Sequence, residues 1–293
     1  MRSVASVVCG TSLADRCELL KPRITLMVVL TALVGFVMAE PGPVRFPLLA
    51  SALAGTALVA SGAAVLNQLL ERDTDARMER TRRRPLPAGR VAPLEAAAFG
   101  SAISVGGVVL LLWLCGPLPA MVALITWTSY LFLYTPLKRR TPLATLVGAV
   151  PGALPPVIGW TAASGAVQPG AFILFAILFL WQVPHFLAIA WMYRDDYERG
   201  GFPMLPVVDR EGSFTARQTV VHSLALLLVS LAPVAAGLAG LAYAGGALLL
   251  GAALTLFALR LLSARDVVAA RGLFLASVLY LPALSSLLLA GRR

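Results

Sequence analysis

Nine apolar runs, each bounded by proline, glycine or charge, set the terms for this chain: roughly residues 24 to 39, 46 to 70, 94 to 114, 117 to 137, 142 to 163, 169 to 192, 214 to 237, 239 to 262 and 269 to 290. A helix needs roughly 20 apolar residues to cross a bilayer, and a crossing segment must satisfy its own backbone polar groups. The runs therefore predict an all-α polytopic membrane protein with nine transmembrane helices. Composition agrees: 59% of the 293 residues are hydrophobic, 13% are charged and the mean hydropathy is +0.84, whereas a soluble domain is about 25% charged. Disorder, a collagenous repeat and a conventional water-soluble enzyme are excluded. The whole chain, 1–293, reads as a single transmembrane domain in which 1–20 form an N-terminal cytoplasmic segment.

The net charge of +10 comes from 24 Lys and Arg against 14 Asp and Glu. In a soluble protein that excess would point to nucleic acid; in a polytopic one it points to orientation, because basic residues collect on the cytoplasmic side. Four precede the first run, seven follow the second, three follow the fourth, four lie between the sixth and seventh and three between the eighth and ninth, all on one side. Only Arg45, Arg292 and Arg293 fall on the other. The expected topology has the N-terminus in the cytoplasm and the C-terminus in the periplasm, with no nucleic-acid partner and with membrane lipid at the basic rim. The shortest connection is expected near Gly237. The two long hydrophilic loops, about 71 to 92 and 193 to 213, lie on the basic side, and long loops in a compact protein are usually functional or disordered.

Cys9, Cys17 and Cys115 form no CxxC pair and suggest neither a disulfide framework nor a metal site. The first apolar run is followed by no small-residue cleavage site and reads as retained.

The acidic residues cluster. Asn67, Glu71 and Asp75 stand four apart at the basic end of the second run, and four residues advance a helix by about 400°, so they form one drifting stripe over about 12 Å of rise. Asp73 points elsewhere. One amide and two carboxylates can hold a hard cation that keeps part of its water and shares phosphate oxygens, as Mg2+ does. The same spacing equally suits a solvated helix end whose acids pair with Arg72, Arg77 and Arg80. Arginines 80, 82, 83, 84 and 90 follow at once, and the guanidinium fork suits phosphate or carboxylate.

A second acidic group, Asp195 and Asp196, follows the sixth run. If that helix is unbroken, His185, Met192 and Asp196 share a face, because eleven residues turn about 1100°. His185 lies inside an apolar run; imidazole there can ligate iron, carry a proton or bond a backbone carbonyl, the last being the commoner case. His222 has no acidic company and reads as structural. Two acid-tipped helices facing one another would form a Mg2+-diphosphate clamp at the mouth of a central cavity open to the cytoplasmic side, a site suited to a substrate with an apolar tail and a diphosphate head.

At these residues the chain resembles a known family. Asn67, Glu71 and Asp75, followed by Met78, Arg80, Thr81, Arg84, Pro85, Leu86 and Gly89, look like the first aspartate-rich motif of the UbiA-type intramembrane prenyltransferases. Leu20–Arg23, Tyr134–Pro142, Gly152–Trp160, Trp181–Phe186 and Asp195–Val207 are similar to the protohaem IX farnesyltransferase (haem O synthase) branch. The resemblance implies transfer of a farnesyl group from farnesyl diphosphate to a vinyl group of haem B with addition of water, Mg2+ as cofactor, a bacterial inner membrane, and a downstream haem-modifying enzyme as a further partner. It also implies roles. Asn67, Glu71 and Asp75 bind Mg2+-diphosphate, while Arg80, Arg84, Lys138 and Arg139 bind diphosphate or haem propionates. Lys21, Arg23, Tyr134 and Tyr197 line the substrates, His185 positions haem, and Asp195 or Asp196 binds a second metal or deprotonates water. Two departures stand out. The second motif of the superfamily is usually DxxxD, but the corresponding ends here are Tyr193 and Tyr197; Ala144 stands where relatives often carry Asn. The alternatives are a related prenyltransferase acting on a hydroxybenzoate or chlorophyll-type acceptor, and a haem transporter or assembly factor.

Overall fold

The computed structural model describes residues 12–40 and 42–292; Arg2, Cys9, Pro41 and Arg293 lie outside the described residues. Within them, nine helices have the length and apolarity to cross a membrane: α1 Pro22–Ala39, α2 Phe46–Leu70, α3 Pro93–Leu114, α4 Pro117–Leu137, α5 Ala144–Ser164, α6 Pro169–Met192, α7 Ser213–Ala235, α8 Leu241–Ala264 and α9 Val267–Ala290. Each agrees with its apolar run to within a few residues. The chain is a multi-pass integral membrane protein.

Proline starts many of these helices, at or next to the first position of α1, α2, α3, α4 and α6, where its missing N–H removes a donor that would go unpaired anyway. The ends follow equally local rules. Gly165 takes φ +71° just past α5, the left-handed cap that glycine favours, and Gly237 takes φ +74° in the tight connection between α7 and α8. The Asp266 side chain accepts from the Ala269 N–H at 2.7 Å and caps α9.

Large apolar side chains cover the outside of the bundle, among them Trp113, Leu249 and Leu279, as lipid contact requires. Small residues work inside it. A Cβ on Gly35 would collide with the Pro156 carbonyl and one on Gly159 with the Ala32 carbonyl, so α1 and the second half of α5 pack backbone to backbone. The α2–α3 seam uses Gly55, Gly62 and Gly107 in the same way. The most enclosed helix is α5, broken at Leu154 just before Pro155–Pro156. A narrow apolar cleft lies between α1, α5, α6 and α9, lined in part by Val34, Pro156, Leu178 and Leu284.

Two helices change character at the basic end. Residues Ser129–Tyr134 of α4 form a π-helical turn, and α6 stops at Tyr193 (φ −114°, ψ 30°) before a separate helix, Arg194–Gly200. That break corrects the unbroken-helix reading: His185 and Met192 stand on one helix and Asp196 on the next, so the condition for a shared face is not met. A short helix, Leu13–Leu19, is tied to the loop after α2 by Arg90, which pairs with Asp15 at 2.7 Å and Glu18 at 2.9 Å.

Candidate active site

The α2 helix ends at Leu70, and Glu71 begins a further helical turn, Arg72–Asp75. The i to i+4 bonds nevertheless run on, from the Glu71 N–H to the Asn67 carbonyl at 2.9 Å and from the Asp75 N–H to the Glu71 carbonyl at 2.7 Å. The expected stripe therefore survives the change of helix. All three side chains are buried, with Asn67 2%, Glu71 4% and Asp75 1% exposed, while Asp73 is exposed. The solvated-helix-end alternative holds only for exposed Asp73, which pairs with Arg72 at 3.2 Å; buried Glu71 and Asp75 pair instead with Lys138 and Arg84, further along the chain.

Lys138, just past α4, donates to Glu71 Oε1 at 2.9 Å and Oε2 at 3.3 Å. Arg84 donates to Asp75 Oδ2 at 2.7 Å. Burial is the largest single influence on the Lys138 ammonium and pulls its pKa down, but the Glu71 carboxylate together with Tyr134, Tyr130 and Tyr197 outweighs it and holds the pKa well above the usual lysine value. Lys21 also feels Arg84, Glu71, Lys138 and Asp75; burial, reinforced by Arg84, pushes its pKa down to about 7. Its backbone is left-handed (φ 49°) immediately before Pro22, a conformation that costs a lysine free energy and commonly marks functional positions. Arg84 and Lys138 balance the two carboxylates, and Lys21, only partly charged near pH 7, tips the cluster to net positive, a field suited to a diphosphate.

The π turn of α4 serves Asn67. Tyr130 donates to Asn67 Oδ1 at 3.2 Å, Asn67 Nδ2 donates to Thr135 Oγ1 at 3.1 Å, and Thr135 donates to the Tyr130 carbonyl at 2.8 Å. Irregular helix of this kind is often found at functional sites. Tyr134 faces Lys138, whose Nζ stands 5.0 Å from its ring centre. Neither Tyr130 nor Thr135 stands out as an Asn67 partner in the sequence; the signal available was that an intramembrane amide needs polar neighbours from another helix.

The second acidic segment meets the first through its backbone. Asp196 Oδ1 accepts the Glu79 N–H at 3.0 Å and Oδ2 the Arg80 N–H at 3.3 Å; Arg199 also pairs with Oδ1. Burial alone would raise the Asp196 pKa, but Arg199 and these two N–H groups hold it below the usual carboxylate value. The Arg80 guanidinium lies over the rings of Tyr193 and Tyr197, at 4.8 and 5.4 Å, and donates to the Tyr197 hydroxyl at 3.2 Å. Asp195 is exposed. The segment after α6 thus meets the loop that follows the first acidic stripe, through Asp196 and the backbone of Glu79 and Arg80.

The other expected residues form no ion pair with this cluster among the described residues. Arg139 donates to the Leu70 carbonyl at 3.1 Å, closing the end of α2, and Arg23 is exposed. His185 sits within the bundle, its ring stacked on Trp181 with centroids 4.8 Å apart and 5.2 Å from that of Phe274. Ser277 Oγ gives its proton to the Phe274 carbonyl at 2.6 Å. It must therefore accept from His185 Nδ1 at 2.8 Å, which leaves Nε2 as the unprotonated nitrogen. His222 bonds the Gln218 carbonyl at 2.8 Å, and Ala144 is buried.

The Asn67–Glu71–Asp75 set suits a hard cation. Its donors are oxygens, and Asp75 Oδ1 accepts no hydrogen bond among the described residues although the side chain is 1% exposed. No third carboxylate or imidazole joins the two among the described residues, so a bound ion would complete its shell with water and phosphate oxygens.

Residues 28–281 match the UbiA prenyltransferase family. The chain belongs to the UbiA prenyltransferase family. Within this family it is 46% identical to the protoheme IX farnesyltransferase of Solibacter usitatus over 288 residues, covering 95% of this chain and 98% of that one. It is 44% identical to that of Salinibacter ruber, over 94% and 97% of the two chains, and 48% identical to that of Opitutus terrae, over 77% and 76%. Solved UbiA-type structures share the fold at low identity. A digeranylgeranylglyceryl phosphate synthase superposes with TM-score 0.80 at 15% identity, covering 95% and 98%. A UbiA homologue from Archaeoglobus fulgidus bound to GPP and Mg2+ gives 0.64 at 15%, covering 94% and 99%.

Proposed function

We propose that this chain is a Mg2+-dependent protoheme IX farnesyltransferase, converting haem B and farnesyl diphosphate to haem O and diphosphate. The observation that carries the reading is a buried amide–carboxylate stripe ringed by Lys21, Arg84 and Lys138 at one end of an apolar bundle, in a chain aligned almost end to end with protoheme IX farnesyltransferases.

Asn67, Glu71 and Asp75 would hold the metal, which when bound supplies positive charge to the diphosphate oxygens. Lys138 and Arg84, already aimed at these carboxylates, reach the same oxygens, and Lys21 adds a third cation; charge placed in advance at the leaving group stabilises its departure. Arg139 and Arg23, on the outside of the basic face, suit haem propionates. The farnesyl tail lies among the apolar helices, where exclusion of bulk water protects the allylic cation. As the farnesyl C–O bond breaks, the terminal vinyl carbon of haem bonds to the freed carbon. Water adds to the other vinyl carbon and loses a proton, and diphosphate leaves. His185, with its Nε2 lone pair free of the Ser277 bond, orients the porphyrin.

The distribution of basic residues supports an inner-membrane orientation with the loops after α2 and α6 in the cytoplasm. A haem-modifying enzyme that accepts the product is the expected partner. Mass spectrometry of haem extracted from membranes overexpressing the chain tests the reading. A species heavier than haem B by one farnesyl group plus water is expected; unchanged haem B together with a prenylated phenolic acceptor would replace this reading with that of another prenyltransferase.

A further inference from the structure

Asp195 and Asp196 are the residues that a two-metal clamp would use, and the structure sets them to other work. Both Asp196 oxygens accept rigid backbone N–H groups, from Glu79 and Arg80, and Arg199 takes a further place on Oδ1. A side-chain partner such as Lys138 on Glu71 can swing aside for a metal ion; a backbone N–H cannot leave without unfolding the turn that carries it. Asp195 is exposed. The residues of this segment do not fit a second divalent ion.

They fit a fixed cation instead. Tyr193 and Tyr197 stand four apart, and their rings hold the Arg80 guanidinium at 4.8 and 5.4 Å. Cation–π contact holds a guanidinium without neutralising it, and Arg80 forms no ion pair among the described residues. The Asp196 bonds to the Glu79 and Arg80 N–H groups fix the backbone from which the guanidinium projects. Phe202 lies edge-on to Tyr197, with ring centroids 6.1 Å apart, and 5.5 Å from Lys138 Nζ, which joins this cation to the Glu71 side of the cluster.

We infer that Arg80, clamped between Tyr193 and Tyr197 and aligned by Asp196, supplies the positive charge that a second metal ion would otherwise bring to the prenyl diphosphate, and that the enzyme works with one divalent ion. The inference rests on the diphosphate-binding reading of the Asn67–Glu71–Asp75 site. Asp196 is then a positioning residue and Arg80 a substrate-binding one.

The test counts metal ions. Mn2+ is titrated into the full-length protein in nanodiscs with S-farnesyl thiodiphosphate, a non-transferring analogue, and free Mn2+ is read by electron paramagnetic resonance. One Mn2+ per chain is expected in the wild type, and two would overturn the inference. Arg80→Gln should still bind one Mn2+ but hold the analogue about tenfold or more weakly at saturating Mn2+, as loss of a charge-assisted contact predicts; unchanged affinity would remove Arg80 from the role. Asp196→Asn should keep one Mn2+ while weakening the analogue, and loss of the ion in that variant, with wild-type thermal stability, would make Asp196 a ligand after all. Absence of both Mn2+ and analogue binding in the wild type would instead refute the underlying diphosphate reading.

Discussion

Asp75→Asn separates the charge of the site from its shape. Asparagine is close to isosteric and can still accept the Arg84 hydrogen bond that spans 2.7 Å in the native protein. Its structural cost is the difference between a charge-assisted and a neutral bond, about 1–2 kcal/mol. The Arg84 side chain is 27% exposed, so water takes up part of the lost interaction and the lower end of that range applies. Breaking a fully buried pair outright would cost about 3–5 kcal/mol. The functional cost is far larger, because one unit of negative charge disappears from a stripe that has only two. Losing one electrostatic stabiliser typically costs about 10²–10³ in rate, or roughly 3–4 kcal/mol. Initial rates of haem O formation, measured by liquid chromatography and mass spectrometry over a Mg2+ titration, should fall by that factor and recover in part at high Mg2+. Thermal unfolding followed by tryptophan fluorescence should shift by only about a few degrees. Activity within threefold of wild type, or a loss of rate matched by a loss of folded protein, would refute the role given to the carboxylate.

Three further outcomes follow from the geometry. His185→Phe keeps the ring packing against Trp181 and Phe274 but removes Nε2; the KM for haem should rise several-fold while that for farnesyl diphosphate stays put, and a change confined to farnesyl diphosphate would contradict the haem-orienting role. Lys21, with its pKa pushed down to about 7 by burial, is largely neutral at pH 8.5 in the free protein. Its folded value lies below the unfolded value of about 10.4, so the cost of burying its charge is present in full below pH 7 and is relieved as pH rises from about 7 towards 10. A bound diphosphate reverses this by favouring the ammonium. Calorimetry at pH 8.5 in buffers of different ionisation enthalpy should show uptake of about one proton with S-farnesyl thiodiphosphate, lost in Lys21→Met; equal uptake in the variant would exclude Lys21. Gly159→Leu places a side chain against the Ala32 carbonyl and should destabilise the bundle by about 3 kcal/mol or more, read as loss of monodisperse protein on size exclusion, whereas the same change at exposed Gly106 should be silent.

The spans and the first acidic stripe were legible because both depend on spacing along one helix. Apolar runs of membrane length leave little choice but helices, and a four-residue repeat stays on one face even though α2 yields to a new turn at Glu71. The second acidic group was legible as a location only. Its backbone contacts with Glu79 and Arg80 join residues more than a hundred positions apart, and an aspartate that binds amides has the same sequence as one that binds a metal. The break at Tyr193 follows no proline or glycine, so the helical phase that placed His185 over Asp196 carried no warning. His185 itself was found, whereas its partner Ser277 is one serine among many apolar residues of α9. The left-handed Lys21 was equally hidden, since a residue before proline is expected to be extended.

The π turn in α4 accommodates one residue more than a regular helix would hold in the same rise. Each residue of an α-helix is worth about 100° of rotation, so the segments before and after Ser129–Tyr134 run on different angular registers, and a helical wheel drawn through α4 as one object misassigns whichever half it is not anchored to. Engineering has to treat Pro117–Thr128 and Thr135–Leu137 as two separately indexed helices. Deleting a single residue at the junction would make the helix more regular while turning Lys138 away from Glu71, so a change that raises helical ideality here would disarm the site.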